Sequence, residues 1–247
     1  MDLSIVIPVL NESKKIRNDI LAASEFLVTN KIRGEIIIVD DGSTDYTAEI
    51  ARQTEVASGI GLQVIQYAEH RGKGFAVQKG VKHSVGKYVI FMDSGLCVPL
   101  HFILDGLNLI EKNECEIAHG SRFLPHSSIV RPHLMSRRIS SFLFRKIVKF
   151  VMALPSALTD TQCGFKMYQG EIARLLFSQL VTDGFMFDVE IIKRAVENGF
   201  RIREFPIVWT ADPDSRLSQW RVPVAVFFEL IKIKKALHQN KKRIKAA

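Results

Sequence analysis

Asp93, in the stretch FMDSGLCVP, closes the apolar run GKYVIFMD and stands alone: Gly95 occupies the place where a D-x-D pattern would put its second carboxylate. Two carboxylates at that spacing can share a divalent cation. Asp93 flanked by Ser94 and Gly95 brings half of that charge. Asp40-Asp41-Gly42-Ser43 ends another apolar run. A carboxylate there can accept hydrogen bonds from a uracil or guanine edge or from a ribose; it can equally be an acidic turn that caps a helix. Pro8 to Glu12, after the first apolar run, can form the opposite wall of such a slot. Arg71-Gly72-Lys73-Gly74 opens a helix. Glycines let the backbone approach a ligand, and the amino end of a helix favours anions. The G-x-x-x-x-G-K-[ST] of a P-loop is absent, and a basic surface turn is the plainer reading. Asp160-x-Gln162-x-Gly164-Phe165-Lys166 puts a carboxylate and an amide in one tight turn before a strand. Phe187-Asp188-x-Glu190 puts two carboxylates at the start of a helix, where a solvated acidic first turn is the alternative.

These groups need a frame. Leu3–Ile7 reads as a short strand stopped by Pro8, and Lys14–Thr29 as an amphipathic helix with Ile16, Ile20, Ala23 and Leu27 on one stripe. Strands at Glu35–Val39, Leu62–Gln66, Lys87–Met92 and Glu116–Ala118 alternate with helices after DDGSTD (Ser43 or Thr44 as N-cap), at Gly74–Ser84 and at Pro99–Glu111. That alternation predicts an α/β fold, a doubly wound and mostly parallel sheet. Ligands of such sheets bind beyond the carboxyl ends of the strands, where PVLNES, DDGSTD and DSG all fall. Further on, Phe123–Met135 reads as a loop, Ser136–Ala153 as a helix with Arg137, Arg138, Arg145 and Lys149, TDTQCGFKMY as a turn into a strand, Phe187–Asn198 as a helix, Arg201–Phe205 as a strand, Val208–Ser218 as a loop and Val222–His238 as a helix.

With 247 residues, 47% hydrophobic and 24% charged, the chain suits one large domain with a sizeable core. The net charge of +8 points to an anionic partner. Nucleic acid is not favoured, because the basic residues lack interleaved aromatics. Cys97, Cys115 and Cys163 lie far apart with no C-x-x-C pair, which argues against a zinc site or disulfide framework and fits a reducing compartment. The start, MDLSIVIPVL, reads as a strand rather than a signal peptide, and no apolar run is long enough to span a membrane.

SIVIPVLNE, IIIVDDGSTD, RGKGFAVQKG, GKYVIFMD, HGSRF, DTQCGFKMY, FDVEII and EFPIVW followed by SRL run in order from residue 3 to about residue 218. In this the chain resembles the family-2 glycosyltransferases that charge a polyprenyl phosphate with one sugar, the dolichyl-phosphate glucose and mannose synthases. DTQCGFK with the later FDVE narrows the resemblance to that group, and the glucose branch matches better. The resemblance implies a GT-A-like sheet and transfer of glucose or mannose from a nucleotide-diphosphate sugar to a polyprenyl or dolichyl phosphate. It places Pro8, Leu10, Glu12, Asp40, Asp41, Lys73, Asp93 and Ser94 around the nucleotide sugar, and Asp93 on a divalent ion, Mg²⁺ or Mn²⁺. Since Gly95 adds no charge, either that ion would be weakly held or the site would rely partly on lysine and arginine to neutralise the diphosphate. Arg122, Arg137, Arg138, Ser215 and Arg216 would meet the acceptor phosphate; Asp214 replaces the glycine that the family has before the last two. Asp188 and Glu190 would have structural or orienting roles. A phosphate acceptor is already anionic near neutral pH, so it needs positioning by arginine and no general base. Two alternatives remain open: a soluble glycosyltransferase with a hydroxyl acceptor, which would need a base near Asp93, and a non-catalytic nucleotide-sugar-binding homologue, motivated by Gly95.

From Lys232 to Lys245 there are basic residues and no acids, preceded by VPVAVFFELIKI. This divides the chain into a catalytic domain, 1–218, and a basic amphipathic helix and tail, 219–247. The tail reads either as a core-packing helix with a solvated end or as an interfacial helix on an anionic membrane. FLFRKIVKFVMALP offers a second such surface. The expected placement is cytoplasmic, peripheral on the cytoplasmic face of a membrane, with room for a membrane-anchoring partner protein.

Overall fold

The computed structural model describes residues 1–130, 135–211 and 228–238, with 135–143 as backbone alone. In chain order the elements are β1 (Leu3–Val9), α1 (Ile16–Thr29), β2 (Gly34–Asp40), α2 (Thr47–Arg52), β3 (Gly61–Gln66), α3 (Lys73–His83), β4 (Tyr88–Met92), α4 (Phe102–Glu111), β5 (Ile117–Ser121), β6 (Ser128–Ile129), α5 (Met135–Met152), β7 (Phe165–Gln169), α6 (Gly170–Ser178), α7 (Phe187–Glu197), β8 (Ile202–Pro206), β9 (Val208–Trp209) and a last helix, α8 (residues 228–238). A seven-stranded sheet has the order β3-β2-β1-β4-β7-β5-β8, and β6 pairs with β9 in a small second sheet. All pairings in the large sheet are parallel except those of β7, which runs antiparallel to both β4 and β5.

Both faces of the sheet are covered, which is why its strands read as continuous apolar runs. Leu3, Ile5 and Ile7 of β1, with Ile36 and Ile38 of β2, pack on the α1 and α4 side. Val6, Ile37 and Val39 point the other way, onto Val77 of α3, Leu176 of α6 and Ile191 of α7. Each fully buried Ile or Val contributes roughly 1.5–3 kcal/mol. A third cluster joins Val148 and Met152 of α5, Val189 and Ile192 of α7, and Leu230, Ile233 and Leu237 of α8. The apolar stripe of α8 thus lies against α5 and α7, and Glu229 accepts the Met186 N–H at 2.9 Å.

Three expectations need correction. β1 continues through Pro8 to Val9: the ladder to β4 stops at Val6, so no hydrogen bond is asked of Pro8 on that side. The helix after DDGSTD begins at Thr47 with Tyr46, not Ser43 or Thr44, at its N-cap position, because the side chains of that turn hydrogen-bond across to the β1 loop. The stretch expected as a loop from Val208 opens with β9, pairing with β6. The strand order turns around between β1 and β4, and a doubly wound sheet opens its crevice at such a point.

Candidate active site

β1 and β2 end side by side, Val9 opposite Asp40, and their loops are laced together. Asn11 N–H donates to Ser43 Oγ (2.7 Å), Thr44 N–H to Asn11 Oδ1 (2.7 Å) and Glu12 N–H to Thr47 Oγ1 (2.8 Å). This fixes the backbone from Leu10 to Glu12 beside Asp40, with Pro8 in β1 opposite Val39. Asp40 and Asp41 then do different work. Asp40 is fully buried; its Oδ1 accepts the Ser43 N–H at 2.8 Å, while Oδ2 has no hydrogen-bond partner among the described residues. Leaving a buried acceptor unpaired costs about 1–3 kcal/mol, so Oδ2 is set to take an N–H or O–H from a ligand. Asp41 accepts the backbone N–H of Arg71 (2.7 Å) and of Gly72 (2.9 Å), and His70 Nδ1 lies 2.8 Å away. It clamps the turn that delivers Lys73, so it serves the site through that turn. The Tyr67 hydroxyl beside them is also buried, and burial with the Asp41 and Asp40 carboxylates keeps it protonated.

Asp93 follows β4 at the centre. Its N–H donates to Gly164 O at 3.0 Å, and a Cβ added at Gly164 would fall inside the Asp93 carboxylate, so the DTQCG turn must carry glycine there. Lys73 Nζ lies 2.5 Å from Asp93 Oδ1 and 6.0 Å from the Phe187 ring centroid. Burial works against the Lys73 charge, but Asp93 and Asp188 outweigh it and raise its pKa. Ser94 and Gly95 bring no second carboxylate. Gly95 has φ +83°, Leu96 has φ +49°, and the Gly95 N–H is held by both oxygens of the buried Asp19 (3.0 and 2.9 Å). No three His, Cys, Asp or Glu side chains among the described residues converge as a metal cage.

On the far side, Arg122 follows β5. Its Nε lies 2.6 Å from Asp160 Oδ2 and its Nη2 2.9 Å from Oδ1; the Arg122 and Gln162 N–H groups add bonds of 3.2 and 3.4 Å to the same carboxylate. Burial pushes the Asp160 pKa up, and the Arg122 guanidinium overcomes it, leaving the group below the usual range. Glu204 of β8 holds the turn by accepting the N–H of Thr159 (2.7 Å) and of Asp160 (2.7 Å). The Nε–Nη2 edge of the Arg122 fork is therefore spent on Asp160. The guanidinium also lies 5.2 Å from the Trp209 ring, which β9 brings in. A neighbouring cation, Arg145 of α5, stacks on Phe123 at 3.8 Å. The side chains of Arg137 and Arg138, and all of Ser215 and Arg216, lie outside the described residues.

Below the site, Asp188 Oδ1 pairs with Lys166 Nζ at 2.6 Å, both buried. Burial raises the Asp188 pKa against the pull of Lys166 and Lys73. Glu190 accepts the N–H groups of Val181 (3.0 Å) and Thr182 (3.0 Å) and Arg194 Nε (2.8 Å), binding the 181–182 loop to α7. His119 of β5 pairs across the ladder with Lys166; its ring nitrogens are buried without partners among the described residues, and burial plus Lys166 hold it uncharged. Tyr67, Asp19, Glu204 and Arg145 had no motif to announce them as parts of this site; a buried acid predicted on the apolar side of an amphipathic helix, as Asp19 is, would have been the one usable signal.

Residues 4–176 match the family model described as glycosyl transferase family 2. The chain belongs to that family. It is 31% identical over 242 residues to a dolichyl-phosphate beta-glucosyltransferase of Dictyostelium discoideum, covering 94% of this chain and 73% of that one. It is 32% identical over 232 residues to the enzyme of the same name from Saccharomyces cerevisiae, covering 87% and 69%. The solved glucosyl-3-phosphoglycerate synthase of Mycobacterium tuberculosis, in complex with Mn²⁺, UDP-glucose and phosphoglyceric acid, superimposes with a TM-score of 0.66 at 18% identity, over 96% of this chain and 78% of that one. At that identity the likeness establishes the fold. The GT-A-like sheet and the glycosyltransferase class expected from the motifs both hold.

Proposed function

We propose that this chain transfers a single sugar, glucose in preference to mannose, from a nucleoside-diphosphate sugar to a polyprenyl phosphate such as dolichyl phosphate. The observation that carries this reading is the 94% span of the similarity to a dolichyl-phosphate beta-glucosyltransferase, which extends past the matched family domain at residues 4–176. The geometry supports it. Asp40 Oδ2 suits the N–H of a nucleobase. The carboxylates around the crevice have partners of their own: Asp160 is paired with Arg122, Asp188 with Lys166 and Asp41 with the 70–72 turn, while Asp93 faces Lys73 and the side where the diphosphate would lie. A hydroxyl acceptor would need one of them as a base; a phosphate oxygen, already anionic, needs none. Arg145 and the outer edge of Arg122 would orient it. A divalent ion would be held by Asp93 together with diphosphate oxygens and water, and would supply neutralisation of the leaving diphosphate. Incubation of the purified chain with radiolabelled UDP-glucose or GDP-mannose and a short polyprenyl phosphate tests the reading. Label in the organic phase from one donor supports it, and label appearing only on hydroxyl acceptors refutes it.

No helix among the described residues is long and apolar enough to cross a membrane. α5 nonetheless exposes Ile147 and 87% of Phe150 beside Lys146, and α8 exposes 64% of Phe228 with Lys232, Lys234 and Lys235. We assign these to the surface of an anionic membrane, where basic residues gain roughly 1 kcal/mol each, on the cytoplasmic face that suits three free thiols. Phe150→Asp should reduce co-flotation with anionic vesicles at unchanged stability; equal flotation removes α5 from the contact.

A further inference from the structure

Asp93 is the carboxylate at the crevice centre, and among the described residues the cation within ion-pair distance of it is Lys73, at 2.5 Å. The position that would complete a D-x-D is closed for a structural reason. Gly95 sits at φ +83° with its N–H bound to both Asp19 oxygens, so the turn depends on a left-handed residue and on a buried acid that is already engaged. Lys73 is in turn fixed from behind. The turn before it is clamped by Asp41, and its ammonium lies 6.0 Å from the Phe187 ring centroid, within the field of Asp188. An ammonium is a compact point charge with three donors on a flexible stem. From the position it holds it can leave one anion for another by side-chain rotation alone.

We propose that Lys73 is a resident counter-cation of the donor site, resting on Asp93 and passing to the diphosphate when nucleotide enters, so that a nucleoside diphosphate binds this chain without a divalent ion. A divalent ion and Lys73 compete for Asp93. The inference rests on the nucleotide-sugar reading above and adds to it what neutralises the leaving group.

The test is calorimetric titration of UDP and of GDP into the full chain, in EDTA and in saturating Mn²⁺, for wild type, Lys73→Met and Lys73→Arg. Melting temperatures confirm that the variants fold. Wild type should bind its nucleotide with affinities that differ less than about threefold between the two conditions. In EDTA, Lys73→Met should lose about 10- to 100-fold, the worth of one charge-assisted hydrogen bond, and recover part of it in Mn²⁺; Lys73→Arg should retain metal-free binding. Mn²⁺ titration without nucleotide, read by the paramagnetic signal of the free ion, should show tighter binding to Lys73→Met because Asp93 has been released. Wild-type binding that requires Mn²⁺, with Lys73→Met indistinguishable from it, overturns this inference and leaves the nucleotide-sugar reading intact. Absence of binding by either nucleotide in both conditions overturns both.

Discussion

Replacing Asp160 by asparagine should expose how the acceptor side is held together. The carboxylate is fully buried and the Arg122 side chain is 19% exposed, so the substitution leaves a largely desolvated guanidinium facing an amide. Removing one partner of a buried pair costs about 3–5 kcal/mol. The partial exposure of Arg122 places this case at the lower end, about 3 kcal/mol, or roughly 6–12 °C in melting temperature for a chain of this size. Arg122→Met should cost a similar amount, because it strands the carboxylate with only its backbone donors. The double variant removes both charges together, so neither is left buried and uncompensated. It should therefore be more stable than the sum of the two single losses by at least about 2 kcal/mol. Urea unfolding of the four proteins, with the slopes compared, supplies the cycle. Losses that add to within about 0.5 kcal/mol would mean that the two groups do not depend on each other, and the account of Arg122 as spent on Asp160 would fall.

Gly95→Asp should lower stability by about 1 kcal/mol for the left-handed φ and should be worse than Gly95→Asn, since the new charge approaches Asp19; a melting point at or above wild type with tighter Mn²⁺ binding would show that this position faces the ion. Asp40→Asn should weaken nucleotide binding at least about tenfold while leaving stability unchanged or slightly raised, because a buried unpaired carboxylate is removed; calorimetry and melting together check both halves. His119 has its pKa pushed well below 6.5, so the unfolded chain takes up a proton that the folded one refuses. Its neutral form contributes fully above pH 6.5, and stability falls as pH drops below that, by up to about 1.4 kcal/mol per unit; His119→Leu should flatten this slope in urea titrations between pH 6.5 and 5, and an unchanged slope would assign it elsewhere.

Much of the frame was readable because burial on both faces writes itself as unbroken apolar strands, as in LSIVIPV and EIIIVD. The edges of those strands carried the polar clusters, and the fold rule put them in one crevice. What could not be read were pairings between distant residues. Arg122 and Asp160 were both visible, but 38 positions apart nothing marked them as one ion pair. Asp40 and Asp41 are adjacent and chemically alike; only the path of the 70–72 turn decides which one keeps a free oxygen. Asp19 sits on a helix whose stripe predicted apolar burial, and its role appears only when Gly95 arrives from β4. Likewise Pro8 looked like a strand terminator until the ladder to β4 proved to end before it.

The reversed strand β7 also governs the order in which the molecule can be made. In the sheet, β5 and β8 join β4 only through β7, so a chain emerging from the ribosome through residue 160 has β5 complete and no sheet neighbour for it. The β1–β2 lacing and the Asp41 clamp use residues up to 72 and can form early. The wall against Asp93 waits for Gly164, and the turn that bears Asp160 is tied down only when Glu204 has been synthesised. At about 5–20 residues per second this is an interval of several seconds, during which the β4 edge is open to foreign strands. Half of the sheet can thus be paired and laced before the strands that complete the other half have been synthesised.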